Sequence, residues 1–189
     1  MKNKNKLMAK ILVPIVIIVV IVGMWFIKNA SDNEKMADSR SQGRQEAVDE
    51  ELQGADFTLK VSGPIDFEAL AGYGLPVIAD YGSDDCIPCK QMAPILEAMN
   101  GEFSGMAFIK FADVWKYPDS AGNVPVQIIP TQVLFYADGT PFVPSDELQQ
   151  EMEFIMYGDK ESGEHVFTVH QGGLSEEQFR KILAEMGVE

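Results

Sequence analysis

The sequence predicts a mixed α/β sandwich preceded by one transmembrane helix, and three patterns lead to this prediction. Residues 7–27 are apolar apart from Lys10. Further along the chain, short strand patterns alternate with helical patterns, as they do in β-α-β units. Near the end, two strand patterns follow one another as in a hairpin, and an amphipathic helix comes last. Helices and strands arranged in this order pack as layers around one core.

The N-terminal segment is long enough to cross a membrane. Residues 11–27 carry no charged or polar side chain, and as a helix they would span roughly 25 Å. Four lysines precede this run and only Lys28 follows it closely. The positive-inside rule therefore places the N-terminus in the cytoplasm and the rest of the chain outside. A cleaved signal peptide is the alternative, although residues 28–31 form a poor cleavage site.

These patterns divide the chain into three predicted regions. Residues 1–28 hold a cytoplasmic tip and the transmembrane signal-anchor helix, residues 29–55 form a flexible polar linker, and residues 56–189 form one domain. All 29 acidic residues of the chain follow residue 28. So acidic a region is unsuited to binding nucleic acid or an anionic membrane surface.

The predicted domain contains five clear strand patterns and three helical patterns. The strand patterns lie at residues 57–61, 75–81, 106–114, 130–136 and 166–170. The helical patterns lie at residues 66–70, 89–103 and 174–186. Asp66 and Ser175 are the predicted N-caps of the first and last helices, and Pro94 predicts a kink in the second.

One segment, residues 142–165, allows two interpretations. Residues 147–156 have a pattern compatible with a helix. Alternatively, residues 154–157 form a strand that pairs with residues 166–169 across a turn at residues 159–164. We favour the hairpin.

The only two cysteines of the chain, Cys86 and Cys89, follow the strand pattern at residues 75–81 and precede a helical pattern. Two thiols three residues apart on the first turn of a helix can form a disulfide and reopen it without disturbing the rest of the fold. The N–H groups and dipole of the helix N-terminus favour the thiolate of the exposed cysteine, which is the nucleophile in thiol–disulfide exchange. The motif therefore indicates redox chemistry.

A structural disulfide and a zinc site are the alternatives for this motif. A bridge that encloses two residues restricts the unfolded chain little, which makes it a poor structural crosslink. Cys86 and Cys89 with His165 and His170 would supply four zinc ligands. However, histidines five residues apart on one strand face opposite sides of the sheet, which disfavours a metal site.

From about residue 64 to residue 188, the chain resembles the thioredoxin family. Residues 80–90 resemble the segment that joins a strand to the active site in this family. There a buried aspartate precedes the first cysteine by six residues, as Asp80 does here. Residues 129–131 (Ile-Pro-Thr) resemble the family's cis-proline loop, and Lys110 falls where a strand lysine commonly neighbours the buried aspartate.

The resemblance implies both a fold and a chemistry. The fold is a three-layer α/β/α sandwich with a mixed central sheet. Cys86, exposed at the helix start, would attack a substrate disulfide, and Cys89, more buried, would resolve the mixed disulfide. Asp80 would accept the Cys89 proton, because a carboxyl group in an apolar strand has a raised pKa. A simple pairing of Asp80 with Lys110 is compatible with this role.

The resemblance also implies a substrate-binding surface beside the cysteines. Pro130, if cis, would pack against the disulfide and leave neighbouring backbone groups free to pair with an extended substrate segment. The residues expected to form this surface are Ile87, Pro88, Ile129, Pro130, Thr131 and Gly172. No cofactor is implied, because the Cys86–Cys89 dithiol itself carries the electrons.

The chain departs from the family pattern around the first cysteine and between two strands. Asp85 stands where the family usually has a tryptophan, and Ile87 stands where it usually has a glycine. Asp84 and Asp85 are either solvated loop charges or they repel a Cys86 thiolate and make the dithiol a better reductant. The insertion at about residues 142–165 predicts added structure beside the sheet.

The sequence therefore predicts a membrane-tethered, extracytoplasmic thiol–disulfide oxidoreductase that reduces disulfides of exported proteins. By analogy with tethered family members, a polytopic membrane thiol transporter would supply its electrons. One alternative is an oxidase or isomerase that introduces disulfides. The other is a non-catalytic module that binds extended peptides.

Overall fold

The structure is a computed structural model that describes residues 52–188. The predicted transmembrane helix and most of the predicted linker lie outside the described residues, so both stay predictions. Between residues 52 and 188, no helix is both long and apolar enough to cross a membrane.

A six-stranded sheet lies at the centre of the described region, with the strand order β1-β3-β2-β4-β6-β5. Its strands are β1 (Lys60–Val61), β2 (Val77–Gly82), β3 (Phe108–Asp113), β4 (Thr131–Phe135), β5 (Phe154–Gly158) and β6 (His165–Gln171). Strands β1, β3 and β2 run parallel, whereas β4 pairs antiparallel with β2, β6 with β4, and β5 with β6. The predicted mixed sheet is confirmed.

Three helices of the described region begin within two residues of the predicted helical patterns, and a fourth lies in the segment for which the hairpin was favoured. The four helices are α1 (Phe67–Ala71), α2 (Ile87–Glu102), α3 (Asp146–Glu151) and α4 (Glu176–Glu185), with a 3₁₀ helix at Pro118–Ala121 that the sequence did not predict. Asp66 caps α1 by accepting a hydrogen bond from the Ala69 N–H. Ser175 caps α4 in a reciprocal capping box with Gln178. Both predicted N-caps are confirmed.

Alternate residues of β2 belong to two cores, one on each face of the sheet. Ile78 belongs to the core under α2 and α4, which also contains Met92, Leu96, Phe179 and Ile182. Val77 and Ala79 belong to the opposite core, against which Phe67 and Leu70 of α1 are packed. Helices therefore cover both faces of the sheet, as the predicted three-layer sandwich requires.

One edge of the sheet collects the segments that carry the cysteines and the proline loop. The carboxyl ends of β2 and β3 meet there because the two strands are parallel, with Gly82 opposite Asp113. Strand β4 begins at the same edge because it is antiparallel to β2, and Thr131 lies between Tyr81 and Gln171. Helix α2 starts just beyond the end of β2.

The insertion at residues 142–165 contains parts of both interpretations. The predicted hairpin is confirmed, because β5 pairs with β6 from Phe154 opposite His170 to Gly158 opposite His165. Helix α3 precedes it and covers the first part of the alternative helix at residues 147–156. Strand β5 is an edge strand of the sheet, so the insertion extends the sheet on that side.

Candidate redox site

Cys86 and Cys89 form a disulfide at the start of α2, with their Cα atoms 5.3 Å apart. Cys86 is the N-cap of this helix, and its Sγ accepts a hydrogen bond from the Cys89 N–H at 3.4 Å. Pro88 lies in the first turn, where the missing N–H costs no helical hydrogen bond. The helix therefore begins at the disulfide, and the positive end of its dipole lies at Cys86.

Both cysteines are buried in the disulfide form, so the predicted exposure of Cys86 is wrong for this state. Cys86 is 6% exposed and Cys89 is 3% exposed. The neighbouring proline loop is the reason, because the Ile129 carbonyl oxygen lies 3.9 Å from Cys86 Sγ. The side chains of Ile87 and Pro88 are exposed, and they form the outer surface beside the disulfide.

The loop that covers Cys86 contains a cis peptide. The Ile129–Pro130 bond is cis, which confirms the prediction for this proline. The Gly172 N–H donates a hydrogen bond to the Pro130 carbonyl oxygen at 2.9 Å. Gly172 has a φ of +119°, a conformation that favours glycine. Gly172 therefore lies beside the cis-proline loop.

Thr131 is not part of an accessible binding surface, contrary to the prediction. Its side chain is fully buried at the start of β4. The Thr131 hydroxyl donates a hydrogen bond to the Ile128 carbonyl oxygen at 2.7 Å. The side chain therefore stabilises the proline loop from beneath instead of contacting a substrate.

Asp80 lies in β2, fully buried on the sheet face covered by α2. Its Oδ1 accepts a hydrogen bond from Gln132 Nε2 at 2.6 Å, whereas its Oδ2 has no hydrogen-bond partner among the described residues. A Cβ placed on Gly82 would lie 3.3 Å from Asp80 Oδ2 and 3.2 Å from Cys89 Sγ. The free carboxyl oxygen and the inner sulfur therefore lie on the same side of Gly82, at most 6.5 Å apart.

Burial raises the pKa of Asp80 to about 7, against the opposing effect of the Gln132 hydrogen bond. A carboxyl group with this pKa can exchange a proton near neutral pH. The combination of position and pKa suits Asp80 to take the proton of the Cys89 thiol.

Lys110 is not the neighbour of Asp80, and the sequence prediction is wrong on this point. In the β2–β3 register, Lys110 pairs with Ala79, whereas Phe111 pairs with Asp80. Because side chains alternate along a strand, Lys110 lies on the opposite face of the sheet. Its Nζ donates to the carbonyl oxygens of Asp56 and Thr58. Lys110 therefore ties the segment before β1 to the sheet.

Two polar residues missed as site residues by the sequence analysis lie next to Asp80. Gln132 in β4 is opposite Asp80, and His170 in β6 is opposite Gln132. The Gln132 side chain is fully buried and its Oε1 lies 2.7 Å from His170 Nδ1. A polar residue in an apolar strand is the signal that singled out Asp80, and Gln132 carries the same signal.

Asp113 was also missed, and it anchors the loop before the cysteines. Its carboxylate accepts hydrogen bonds from the N–H groups of Asp84, Trp115 and Lys116 at 2.9–3.0 Å. Burial raises the pKa of Asp113, but these bonds, with one from the Ser83 side chain, outweigh burial and lower it. An ionised Asp113 therefore holds together the loops that follow β2 and β3.

Three exposed apolar side chains lie on segments at the same edge of the sheet as the disulfide. Ile87 is 72% exposed in the first turn of α2, Trp115 is 61% exposed beyond β3, and Ile128 is 53% exposed in the loop before β4. This edge of the sheet therefore presents exposed apolar surface on the segments that follow β2 and β3 and precede β4.

Comparison with known proteins agrees with this arrangement. A family profile described as Thioredoxin matches residues 67–155. A thioredoxin-like protein of Synechocystis sp. is 36% identical over 88 residues, which cover 47% of this chain and 83% of that protein. The chain belongs to the thioredoxin family. A thioredoxin of Staphylococcus epidermidis is 33% identical over 94 residues, covering 47% of this chain and 88% of that protein.

A solved structure, the X-ray structure of Fasciola hepatica thioredoxin, aligns with a TM-score of 0.47 and 19% identity, over 68% of this chain and 99% of that one. Family membership and the Cys86–Cys89 pair together make the chain a thiol–disulfide oxidoreductase. Thioredoxins act through a redox-active disulfide and need no cofactor.

Proposed function

We propose that this chain is a membrane-tethered, extracytoplasmic reductase of protein disulfides. The observation that carries the proposal is the position of Asp80 Oδ2, which has no partner among the described residues and lies within 6.5 Å of Cys89 Sγ. A reductase releases its substrate when the inner cysteine becomes a thiolate. A proton acceptor next to that sulfur serves this step.

The first step starts from the Cys86–Cys89 dithiol. The Cys86 thiolate, stabilised at the N-terminus of α2, attacks one sulfur of a substrate disulfide. The substrate S–S bond breaks, a mixed disulfide forms between Cys86 and the substrate, and the other substrate sulfur leaves as a thiolate that takes a proton from water.

The second step releases the substrate. Asp80 Oδ2 takes the proton of the Cys89 thiol, and the resulting Cys89 thiolate attacks Cys86 Sγ. The mixed disulfide breaks, the second substrate sulfur leaves as a thiolate, and the Cys86–Cys89 disulfide forms. Two electrons have then passed from the dithiol to the substrate, and Asp80 returns its proton to solvent.

The surface around Cys86 suits an extended, apolar substrate segment. Ile87, which follows Cys86 in the chain, and Ile128, which precedes the loop residue Ile129, are both exposed. The Ile129 carbonyl oxygen faces Cys86 Sγ, so backbone groups of this loop are placed to pair with a substrate strand. Pro88 and Gly172 border this surface.

The charges before Cys86 support reduction as the direction. Asp84 forms an ion pair with Lys60 at 3.1 Å, with both side chains 59% exposed, so its charge is partly balanced. Asp85 is exposed and directly precedes Cys86. A carboxylate there disfavours the Cys86 thiolate, and a less stable thiolate makes the dithiol a stronger reductant.

The membrane and the electron source complete the proposal. The apolar residues 7–27 and the lysines before them support an anchor with the Cys86–Cys89 domain outside the cytoplasm. A reductase in that compartment needs electrons from inside the cell. By analogy with tethered relatives, a polytopic membrane thiol transporter would reduce the disulfide again.

The activity is tested with the full-length chain in detergent, with dithiothreitol as the electron source and insulin as a disulfide-bonded substrate. We expect turnover by the wild type and none above background for Cys86→Ser. Equal turnover by the two proteins would contradict exchange at Cys86 and favour a non-catalytic peptide-binding module.

The location is tested by adding protease to intact cells whose outer layers have been removed. We expect the domain after residue 55 to be digested without lysis of the cytoplasmic membrane, while a cytoplasmic control protein stays intact. Protection of the domain until lysis would place it in the cytoplasm and overturn the extracytoplasmic role.

A further inference from the structure

Three polar side chains form a continuous hydrogen-bonded chain across the sheet under α2. They lie on neighbouring strands, because Asp80 pairs with Gln132 and Gln132 pairs with His170. Gln132 Nε2 lies 2.6 Å from Asp80 Oδ1, and Gln132 Oε1 lies 2.7 Å from His170 Nδ1. Asp80 and Gln132 are fully buried and His170 is 8% exposed.

While Asp80 is ionised, the donors and acceptors in this hydrogen-bonded network have one consistent assignment. Gln132 Nε2 donates to Asp80 Oδ1, which leaves Gln132 Oε1 facing His170 Nδ1. An amide oxygen can only accept, so His170 Nδ1 must carry a proton. With the amide reversed, an acceptor would face the ionised carboxylate and the Asp80 hydrogen bond would be lost.

The residues that lie next to this network on α2, β3 and β5 carry no charge. Met92 Sδ is 3.8 Å from Gln132 Nε2, Phe111 pairs with Asp80 in the strand register, and the Phe154 ring packs edge-on against His170. Among the residues named here, the titratable groups are Asp80, Cys89 and His170. Burial lowers the pKa of His170, so at neutral pH the imidazole is neutral with its single proton on Nδ1.

We propose that His170 orients the Gln132 amide and thereby keeps the exchangeable proton of Asp80 on Oδ2, the oxygen beside Cys89. The proposal rests on the proposed reduction mechanism and extends it. Because Oδ1 already accepts from Gln132, a proton added to Asp80 goes to Oδ2. His170 and Gln132 are positioning residues, since neither touches the reacting sulfur atoms.

The proposal is tested with four variants of the full-length chain in detergent: Gln132→Leu, His170→Leu, His170→Asn, and the double variant with both leucines. The Asn side chain is the matched control, because its amide N–H can take the place of the Nδ1–H of His170. The first measurement is the ¹³C-carboxyl NMR titration of Asp80. The second is the pH profile of mixed-disulfide resolution in a single turnover.

Loss of the Gln132 donor removes a hydrogen bond to the charged form of Asp80. We expect Gln132→Leu to move the Asp80 midpoint and the resolution profile to higher pH by about one pH unit. His170→Leu moves both in the same direction, and His170→Asn restores both to the wild-type position. The double variant moves no further than Gln132→Leu alone, because His170 acts through Gln132.

Three results would overturn the proposal: an Asp80 midpoint in His170→Leu equal to the wild type, equal midpoints in His170→Asn and His170→Leu, or additive shifts in the double variant. Thermal unfolding of each variant checks the fold. Failure of the proposed function can be distinguished from failure of this proposal. A wild type that reduces no disulfide still gives an Asp80 titration that reports on Gln132 and His170.

Discussion

Asp80 and Asp113 lie in the adjacent parallel strands β2 and β3, near the same edge of the sheet. Both are buried, with 0% and 7% of their surfaces exposed. Burial raises the pKa of Asp80 to about 7, against one hydrogen bond from Gln132. Burial also raises the pKa of Asp113, but N–H donors from three backbone positions and the Ser83 side chain lower it overall.

Two differences therefore decide the charge of these carboxyl groups: Asp80 is more deeply buried, and Asp113 accepts more hydrogen bonds. Asp113 is ionised at neutral pH and anchors two loops. Asp80 retains an oxygen without a partner among the described residues and titrates near neutrality. One aspartate therefore holds the site in place, whereas the other is available for proton transfer.

The largest expected effect comes from substituting the cysteines. The effects of substituting either aspartate are expected to be smaller. Cys86→Ser should abolish turnover, because it removes the attacking sulfur. Cys89→Ser should form the mixed disulfide and fail to resolve it. Non-reducing electrophoresis checks both, and release of substrate by Cys89→Ser at the wild-type rate would contradict the assigned roles.

Asp80→Asn should slow mixed-disulfide resolution by roughly 100-fold, because the amide cannot accept the Cys89 proton. Formation of the mixed disulfide should keep its wild-type rate, since that step does not use Asp80. Single-turnover kinetics separate the two steps. Equal slowing of both would show that the substitution acts on the fold instead of on the proton.

The same variant tests whether ionisation of Asp80 stabilises or destabilises the folded protein. The folded-state pKa lies above the unfolded value, from 3.8 to about 7, so folded protein binds the proton more tightly. Wild-type stability therefore falls as pH rises through this interval. Asp80→Asn should be the more stable protein above pH 7, by at most about 4 kcal/mol, with no charge-dependent gain below about pH 4.

Asp113→Asn should show the opposite pH dependence. The folded-state pKa of Asp113 is depressed below 3.8, so its contribution is present above that pH and is lost as pH falls through the folded value. We expect a loss of about 2 kcal/mol at pH 7. The difference in unfolding free energy between the wild type and Asp113→Asn should become smaller in acid, as measured by urea unfolding at several pH values. A loss of stability that does not change with pH would contradict the claim that the ionised form of Asp113 anchors the two loops.

Lys110→Met tests whether Lys110 lies on the face of the sheet opposite Asp80. We expect a loss of about 1 kcal/mol in the free energy of unfolding, because the carbonyl oxygens of Asp56 and Thr58 lose their donor. The Asp80 titration should stay at the wild-type midpoint, since Lys110 lies on the other face. A downward or upward move of that midpoint would show that the two residues are coupled.

Much of the fold could be predicted because it depends on local patterns. The strand β2, the helix α2 and the caps Asp66 and Ser175 are encoded in apolar spacing and in side chains that bind nearby N–H groups. The hairpin of β5 and β6 was harder, because a short helical pattern overlaps it. Both elements form, one after the other.

The site could be predicted only where one segment carries the information. Cys86, Cys89 and the cis-proline loop are local motifs. The partner of Asp80 depends on strand register, and a shift of one residue in β3 moves a side chain to the other face. Lys110 was therefore assigned to the wrong face, and Gln132 and His170 were missed because their meeting depends on the pairing of β4 with β2 and β6. Burial of Cys86 likewise depends on a distant loop.

The reduction potential of the Cys86–Cys89 pair tests the central claim most directly. The full-length chain in detergent is equilibrated with defined ratios of reduced and oxidised dithiothreitol or glutathione, and the free thiols are alkylated and counted. A protein-disulfide reductase should have a potential of about −270 mV, as thioredoxin does. A potential of about −120 mV would contradict the reductase and identify the chain as an enzyme that forms disulfides.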